Sequence, residues 1–431
     1  MTKRDETKLD NKQLVDFIRQ NPSSGTSFTN KNAPIHRWYL APMAFSYTLV
    51  DKIIDYYSDS DIKILDPFSG SATTLICAKQ KGLDAVGLEK HIFMYLISAG
   101  KISWEHSLAQ LEKIFKETEK QAKCNWIKFS LNQYPKFIRD CYTSDFLKQL
   151  KAIWFYLEEN MNKKYEPLFT VLMSATLRKS LCSLEQFPYI QPIKKRKEPI
   201  NPLKSFHNVY SMILSDLYKL NGNYGQVKMI FDDARTMKKL PHNKYDLIIT
   251  SPPYLNNIDY ADNTRLELYF FGLAENWNDI TKKIRSQLIT AATTQVNNKD
   301  MEYEEQLTSS ISTPTGEKIL NIALELKTKS KKRLHKKYYD RMIINYFIEM
   351  NKHLQRSYQI LDSPGSYFMI IGDSAPYGVH VKTELILASL AKEHGFSSNI
   401  IKIRDRGGRF SISQKHNKKL KESLLILKKG D

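Results

Sequence analysis

The sequence predicts an α/β protein built on a doubly wound parallel sheet, with a mostly helical insertion and a second, basic insertion. Three observations lead there. A strand–turn–helix–strand unit occupies residues 62–89. The same alternation resumes after residue 226 and again after residue 338. Between these stretches the pattern is helical or polar. Parallel strands joined through helices imply right-handed crossovers and a sheet covered on both faces.

The elements follow in order. Polar residues dominate the first 30 positions and read as an arm or short helix plus loop. Leu49, Val50, Ile53, Ile54 and Tyr57 recur at helical spacing. Ile62 to Leu65 is a buried strand ending at Asp66-Pro67, Thr73 to Lys81 a helix closed by Gly82, and Ala85 to Leu88 a strand ending at Glu89. Residues 1–90 therefore form an N-terminal arm and the first half of the core, and residues 91–225 a mostly helical insertion. Within it Pro188 to Pro202, with its basic run at 194–197, reads as a loop or extended arm, because its prolines forbid a continuous helix. Val227–Phe231 and Tyr245–Thr250 return to the core, which covers residues 226–274. Residues 275–337 form the basic insertion, and residues 338–431 close the core with a long helix, a strand at Ser366 to Gly372, a helix near Thr383 to His394 and a final strand pair.

Composition bounds the function. With 65 Lys and Arg against 46 Asp and Glu, the net charge is +19, which favours a polyanionic partner through counterion release. A solvated basic surface would give the same excess. No apolar run is long enough to span a bilayer and no secretion signal is visible, so a cytoplasmic protein is expected. The four cysteines are too scattered for a zinc site or a disulfide framework, and no metal is expected.

Two segments carry chemistry. Asp66-Pro67-Phe68-Ser69-Gly70-Ser71-Ala72-Thr73-Thr74 lies at the carboxyl end of the first strand, where parallel sheets bind ligands. Gly70 lets the backbone approach a ligand, and Ser71 and Thr73 can cap the following helix. Glu89, ending the next strand, is placed to accept from ribose hydroxyls. The turn lacks Gly-Lys-Ser/Thr, so an adenosine-bearing ligand without phosphates fits it better than a nucleotide; an ordinary glycine-containing βα turn would read alike. Thr250-Ser251-Pro252-Pro253-Tyr254 follows another buried strand. Adjacent prolines fix the backbone, giving a rigid rim. There Ser251 and the Pro252 carbonyl can accept from an exocyclic amine while Tyr254 stacks on its ring. A structural Pro-Pro turn is the alternative.

Together the two segments resemble the S-adenosylmethionine-dependent amino-group DNA methyltransferases, whose cofactor motif is Asp-Pro-Phe-x-Gly-x-Gly and whose catalytic motif is Ser/Asp/Asn-Pro-Pro-Tyr/Phe. The resemblance covers about half the chain and implies a Rossmann-like class I methyltransferase sheet. It assigns Asp66, Phe68, Gly70, Ser71, Thr73 and Glu89 to the cofactor, Asp233 to its adenine, and the segment His36 to Phe45 to its methionine end. Ser251, Pro252, Pro253 and Tyr254 become the catalytic residues. Ala72 stands where the motif has its second glycine.

In this family a serine before Pro-Pro-Tyr usually accompanies cytosine N4, and Asp or Asn adenine N6. The expected enzyme is thus an N4-cytosine DNA methyltransferase acting on a specific duplex sequence, the modification half of a restriction system. It would act as a monomer, with a cognate endonuclease sharing its site. N6-adenine methylation, RNA base methylation and an inactive nucleic-acid-binding module are the alternatives. Carbon-5 methylation is set aside because none of the 16 prolines precedes a cysteine. Lys194 and Arg196, Lys331, Lys332 and Arg333, and a flexible basic loop carrying Arg404, Arg406 and Arg409 are the expected DNA contacts. Asn256, Asn257, Asp259 and Tyr260 are expected either to line the base pocket or to cap the next helix.

Overall fold

The computed structural model describes residues 11–21, 28–41, 44–57, 62–161, 164–186, 188–240, 244–256, 258–296, 303–311, 313–334, 336–413 and 418–430. Helices α1 (Asn11–Gln20) and α2 (Tyr47–Tyr56) precede the core. The first crossover is β1 (Ile64–Asp66), α3 (Thr73–Gln80), β2 (Ala85–Glu89) and α4 (Ile92–Ile102). Four helices follow, α5 (Leu108–Asn125), α6 (Lys136–Cys141), α7 (Ser144–Glu158) and α8 (Glu166–Lys179). A hairpin of β3 (Ser183–Gln186) and β4 (Tyr189–Lys195) leads to α9 (Pro202–Tyr218), which starts where Asn201 accepts from the Leu203 and Lys204 amides with Pro202 at the first turn.

The core resumes with β5 (Val227–Phe231) and β6 (Tyr245–Thr250). Short helices α10 (Tyr260–Asn263), α11 (Arg265–Phe270) and α12 (Trp277–Asp279) come next, then α13 (Tyr303–Ser310) and α14 (Thr313–Lys331). The chain ends with α15 (Tyr339–Ile360), β7 (Leu361–Gly372), α16 (Thr383–Glu393), β8 (Ser397–Ser413) and β9 (Lys418–Lys429).

Seven strands form one sheet in the order β5-β2-β1-β6-β7-β9-β8. The first five are parallel, and β9 pairs antiparallel with both β7 and β8. Strand order reverses between β1 and β6, and a ligand crevice opens at the carboxyl ends there. Side chains of β7 alternate between two cores. Phe368 and Ile370 join the core that holds α2, α3, α4 and the helical insertion; Tyr367, Met369 and Ile371 join the one that holds α14, α15 and α16. A sheet buried on both faces explains why its strands read as continuous apolar runs.

Two readings of the chain need correction, and the basic insertion gains an assignment. Residues 189–195 are a paired strand rather than a loop, with Pro192 in a bulge where the ladder does not need its missing N–H. The basic insertion is largely helical through α13 and α14. Arg404 and Arg406 lie on β8, a strand of 17 residues, and not in a flexible loop.

Candidate active site

The turn after β1 is braced from beneath. Asp66 is fully buried, and its Oδ1 accepts from the Phe68 amide (3.1 Å) and the Thr250 hydroxyl, while Oδ2 has no partner. Burial pushes its carboxyl up to about 6. Gly70 (φ +51°) and Ala72 (φ +64°) both take left-handed backbone, so the alanine at the motif's second glycine occupies a conformation that favours glycine. Ala72 is also the residue before α3, and no side chain caps that helix; Ser71 and Thr73 face the crevice instead. Glu89 closes the turn: Oε2 accepts from the Gly70 amide (3.0 Å) and Oε1 from the His91 amide (2.8 Å). Its burial raises the carboxyl to about 7.

Phe68 stands on His353, with ring centroids 4.9 Å apart. The His353 Nδ1 faces the Ala234 carbonyl at 2.8 Å, so that nitrogen carries the proton, and Nε2 accepts from the Tyr367 hydroxyl at 2.7 Å. Burial holds this imidazole neutral, its pKa lowered to about 4.

Ser251, Pro252, Pro253 and Tyr254 leave β6 on the opposite wall. The Tyr254 amide donates to the Tyr260 hydroxyl (3.2 Å), and its own hydroxyl donates to Glu422 Oε1 (2.9 Å) on β9. Burial and the Glu422 carboxylate raise that phenol well above its usual range, so it remains a donor. Glu422 Oε2 accepts from Arg404 Nε at 2.6 Å. The Arg406 guanidinium lies 5.5 Å from the Tyr254 ring centre and donates to the Asp373 carbonyl.

One cavity of about 140 Å³ joins the two segments. Phe68, Gly70, Ser71, Thr73, Glu89, Asp233 and the whole tetrapeptide line it, together with Ala41, Ala44 and Phe45 from the segment before α2. Asp233 reaches it from the end of β5, with its carboxylate gripped by Arg235 through Nε and Nη2. Those bonds hold its pKa below the usual carboxylate range despite burial. Arg235 also pairs with Glu349 of α15 and donates to the Gln287 carbonyl (2.9 Å).

Other expected residues lie elsewhere. His36 is buried and does not line the cavity; it stacks on Tyr47 at 5.0 Å with neither ring nitrogen bonded, and its carbonyl accepts from Lys101. Asp66 supports the turn without lining the cavity. Asn256 accepts from the Ile258 amide and does not reach the cavity, and Asn257 lies outside the described residues. Of the paired alternatives, Tyr260 lines the cavity, and Asp259 caps α10 through the Ala261 and Asp262 amides. Lys194 and Arg196 sit on the β3–β4 hairpin, Arg196 paired with Glu185. Lys331, Lys332 and Arg333 are exposed at the end of α14. Arg406, 5% exposed, is buried against Tyr254, and Arg404 is paired with Glu422, so the flexible basic loop expected there is corrected for both. The Arg409 side chain lies outside the described residues.

The reading of the sequence missed Gln287, Leu288 and Ile289, which form another wall, and His91, Met94, Asn263 and Thr264. No local signal marks the first three. Their carbonyls are held by Arg235 (Gln287) and by Gln295 (Leu288 and Ile289), and the preceding turn is anchored by the buried pair Arg285–Asp259 (2.7 Å), which Thr294 joins by donating to Asp259 Oδ2.

Comparison with known proteins agrees with this geometry. Residues 4–99 match the N6/N4 family described as DNA methylase. Type II methyltransferase M.AvaI of a Nostoc species is 26% identical over 88% of this chain and 82% of its own length. For M.BsoBI of Geobacillus stearothermophilus the figures are 24%, 94% and 86%, and for M.MvaI of Kocuria varians 19%, 89% and 85%. Among the described residues no helix is long and apolar enough to cross a membrane. The motif order, the sheet and these relatives agree: the chain is similar to the amino-group DNA methyltransferases.

Proposed function

We propose that this enzyme transfers a methyl group from S-adenosylmethionine to the N4 amine of cytosine at a specific site in duplex DNA, as the modification partner of a restriction endonuclease. The observation that carries it is the shared cavity: Ser251–Tyr254 and the Gly70–Glu89 turn open onto the same space. The serine at position 251 supports cytosine N4 over adenine N6, following the family's usage. The relatives' Type II names support a role in modification.

The residues present fit the cofactor. The walls combine apolar surface from Phe68, Leu288 and Ile289 with two acidic acceptors, Glu89 and Asp233, beside Lys90, a set that suits the hydroxyl and amine donors of an adenosine-bearing ligand. Glu89 would take the ribose hydroxyls and Asp233 the adenine amine. When bound, S-adenosylmethionine would supply an electrophilic sulfonium methyl. The chain's part is positioning. The target base must leave the duplex, because its amine is otherwise paired. Ser251 Oγ and the Pro252 carbonyl accept the two amine N–H bonds, which orients the nitrogen lone pair towards the cofactor half of the cavity. Tyr254 stacks on the base, held by Glu422. Fixing the reactants in this way supplies most of the acceleration, and the amine proton passes to solvent. Lys194, Lys331, Lys332 and Arg333 would meet phosphates, which positions the protein without reading sequence.

Nucleoside analysis tests this. The protein is incubated with mixed-sequence duplex DNA and cofactor bearing a deuterated methyl, and the digest is read by mass spectrometry. Labelled N4-methylcytosine is expected. Label in N6-methyladenine would reverse the base, and label only in RNA would replace the substrate.

A further inference from the structure

The β3–β4 hairpin carries an apolar side chain that packs on nothing. Its ladder runs Gln186↔Tyr189, Glu185↔Ile190 and Leu184↔Gln191, then jumps to Ser183↔Lys195, so Pro192-Ile193-Lys194 bulge out of the strand. Ile193 at the centre of the bulge is 95% exposed. Burying such a side chain is worth about 2 kcal/mol, so an isoleucine held this far into water is poised for an occupant.

The bulge is rooted. Fully buried Ser183 donates to the Pro192 carbonyl (3.2 Å), and the Arg196 amide donates to the Cys182 carbonyl (2.7 Å). The hairpin is also fixed to the rim of the catalytic cavity. Its Tyr189 hydroxyl accepts from the Asp259 amide (3.0 Å), and Asn263, which lines the cavity, donates to the Pro188 carbonyl. Beside Ile193 stand the exposed cations Lys194 and Lys197, while the Lys195 ammonium donates to the Asp140 carbonyl and to Ser183 Oγ. An exposed apolar bulge flanked by cations, on a hairpin whose turn is tied to the rim of that cavity, has the chemistry of a wedge in a nucleic-acid stack. The cations meet phosphates, and the aliphatic group enters the gap a displaced base leaves.

Resting on the reading of this protein as a base-flipping DNA methyltransferase, we infer that Ile193 is such a wedge, entering duplex DNA beside the target pair and stabilising the open state. The occupant is the DNA stack itself, chosen by the flanking positive charge and the tie to the cavity rim.

The test compares Ile193→Ala and Ile193→Asp with the unaltered protein on two duplexes containing the methylated sequence, one fully paired and one with the target base mismatched. Because the side chain is exposed, both variants should keep the fold, checked by unchanged cofactor affinity. On the paired duplex we expect kcat/KM to fall at least about tenfold for Ile193→Asp and less for Ile193→Ala. On the mismatched duplex, where opening is already easy, both should return to within about twofold of the unaltered protein. An equal loss on both duplexes would make Ile193 an ordinary contact and overturn the wedge, as would no loss on either. Unaltered protein that binds cofactor yet methylates neither duplex would overturn the methyltransferase reading, and the wedge with it.

Discussion

The hydroxyl of Tyr254 donates to the buried carboxylate of Glu422 at 2.9 Å, tying the tetrapeptide after β6 to the last strand of the sheet. Arg404 holds the other oxygen of Glu422, so the acceptor cannot turn away. Tyr254→Phe keeps the ring and removes the tether. A hydrogen bond to a charged group contributes about 1.5–3 kcal/mol, so stability should fall by about that amount. The methylation rate should fall about tenfold as the ring loosens, with cofactor affinity unchanged. Glu422→Gln should do the same, and the two changes together should cost little more than either alone. Additive losses in a double-mutant cycle would separate the two residues.

Gly372 is where β7 passes the same ring. A Cβ there would lie 2.8 Å from Arg406 Nη1 and 2.9 Å from Tyr254 Cδ2, closer than packed atoms tolerate. Gly372→Ala should therefore displace the ring while leaving Glu89 and the cofactor turn alone. A rate loss of tenfold or more with intact cofactor binding is the expected result, read by single-turnover kinetics beside a binding titration. Unchanged turnover would mean that the position of Tyr254 is not critical.

The sheet was legible because its strands are buried on both faces, which writes them as short apolar runs such as Leu247-Ile248-Ile249. The two site segments were legible because glycine and proline mark turns whose backbone chemistry needs them. What stayed hidden depends on partners distant in sequence. A Pro-containing basic stretch reads as a loop until Leu184 and Ser183 pair with it across the hairpin. Arg406 reads as a surface cation, yet it sits behind Tyr254 because β8 folds back on β9. Gln287, Leu288 and Ile289 are ordinary residues that become a cavity wall through partners distant in sequence or set by the fold, Arg235, Gln295 and the Arg285–Asp259 pair.

That pair gives a third prediction. Arg285 and Asp259 side chains are 3% and 6% exposed, and Asp259 also caps α10 and accepts from Thr294. Removing one partner leaves an uncompensated buried charge, a loss of about 3–5 kcal/mol. Arg285→Met should lower the denaturation midpoint accordingly and weaken cofactor binding by releasing Gln287–Ile289. Full stability in the variant would show that the wall is held by other contacts.

Glu89 sets the pH response. Burial raises its carboxyl from about 4.5 to about 7, so the folded protein keeps a proton that the unfolded chain releases. Stability of the ligand-free enzyme should therefore fall as pH rises across that window, by up to about 3 kcal/mol. Cofactor affinity should run the other way, improving as pH rises through about 7, because the ionised carboxylate is the better acceptor for ribose hydroxyls. Glu89→Gln should flatten the affinity dependence and shrink the stability slope to the part that buried Asp66, raised to about 6, still contributes. Its absolute stability is the poorer readout, since an amide cannot accept from the Gly70 and His91 amides at once. The measurement is a pair of pH series, denaturant midpoints and cofactor titrations, for the enzyme and the variant. If the variant retains the full slope of either series, the titrating group is not Glu89.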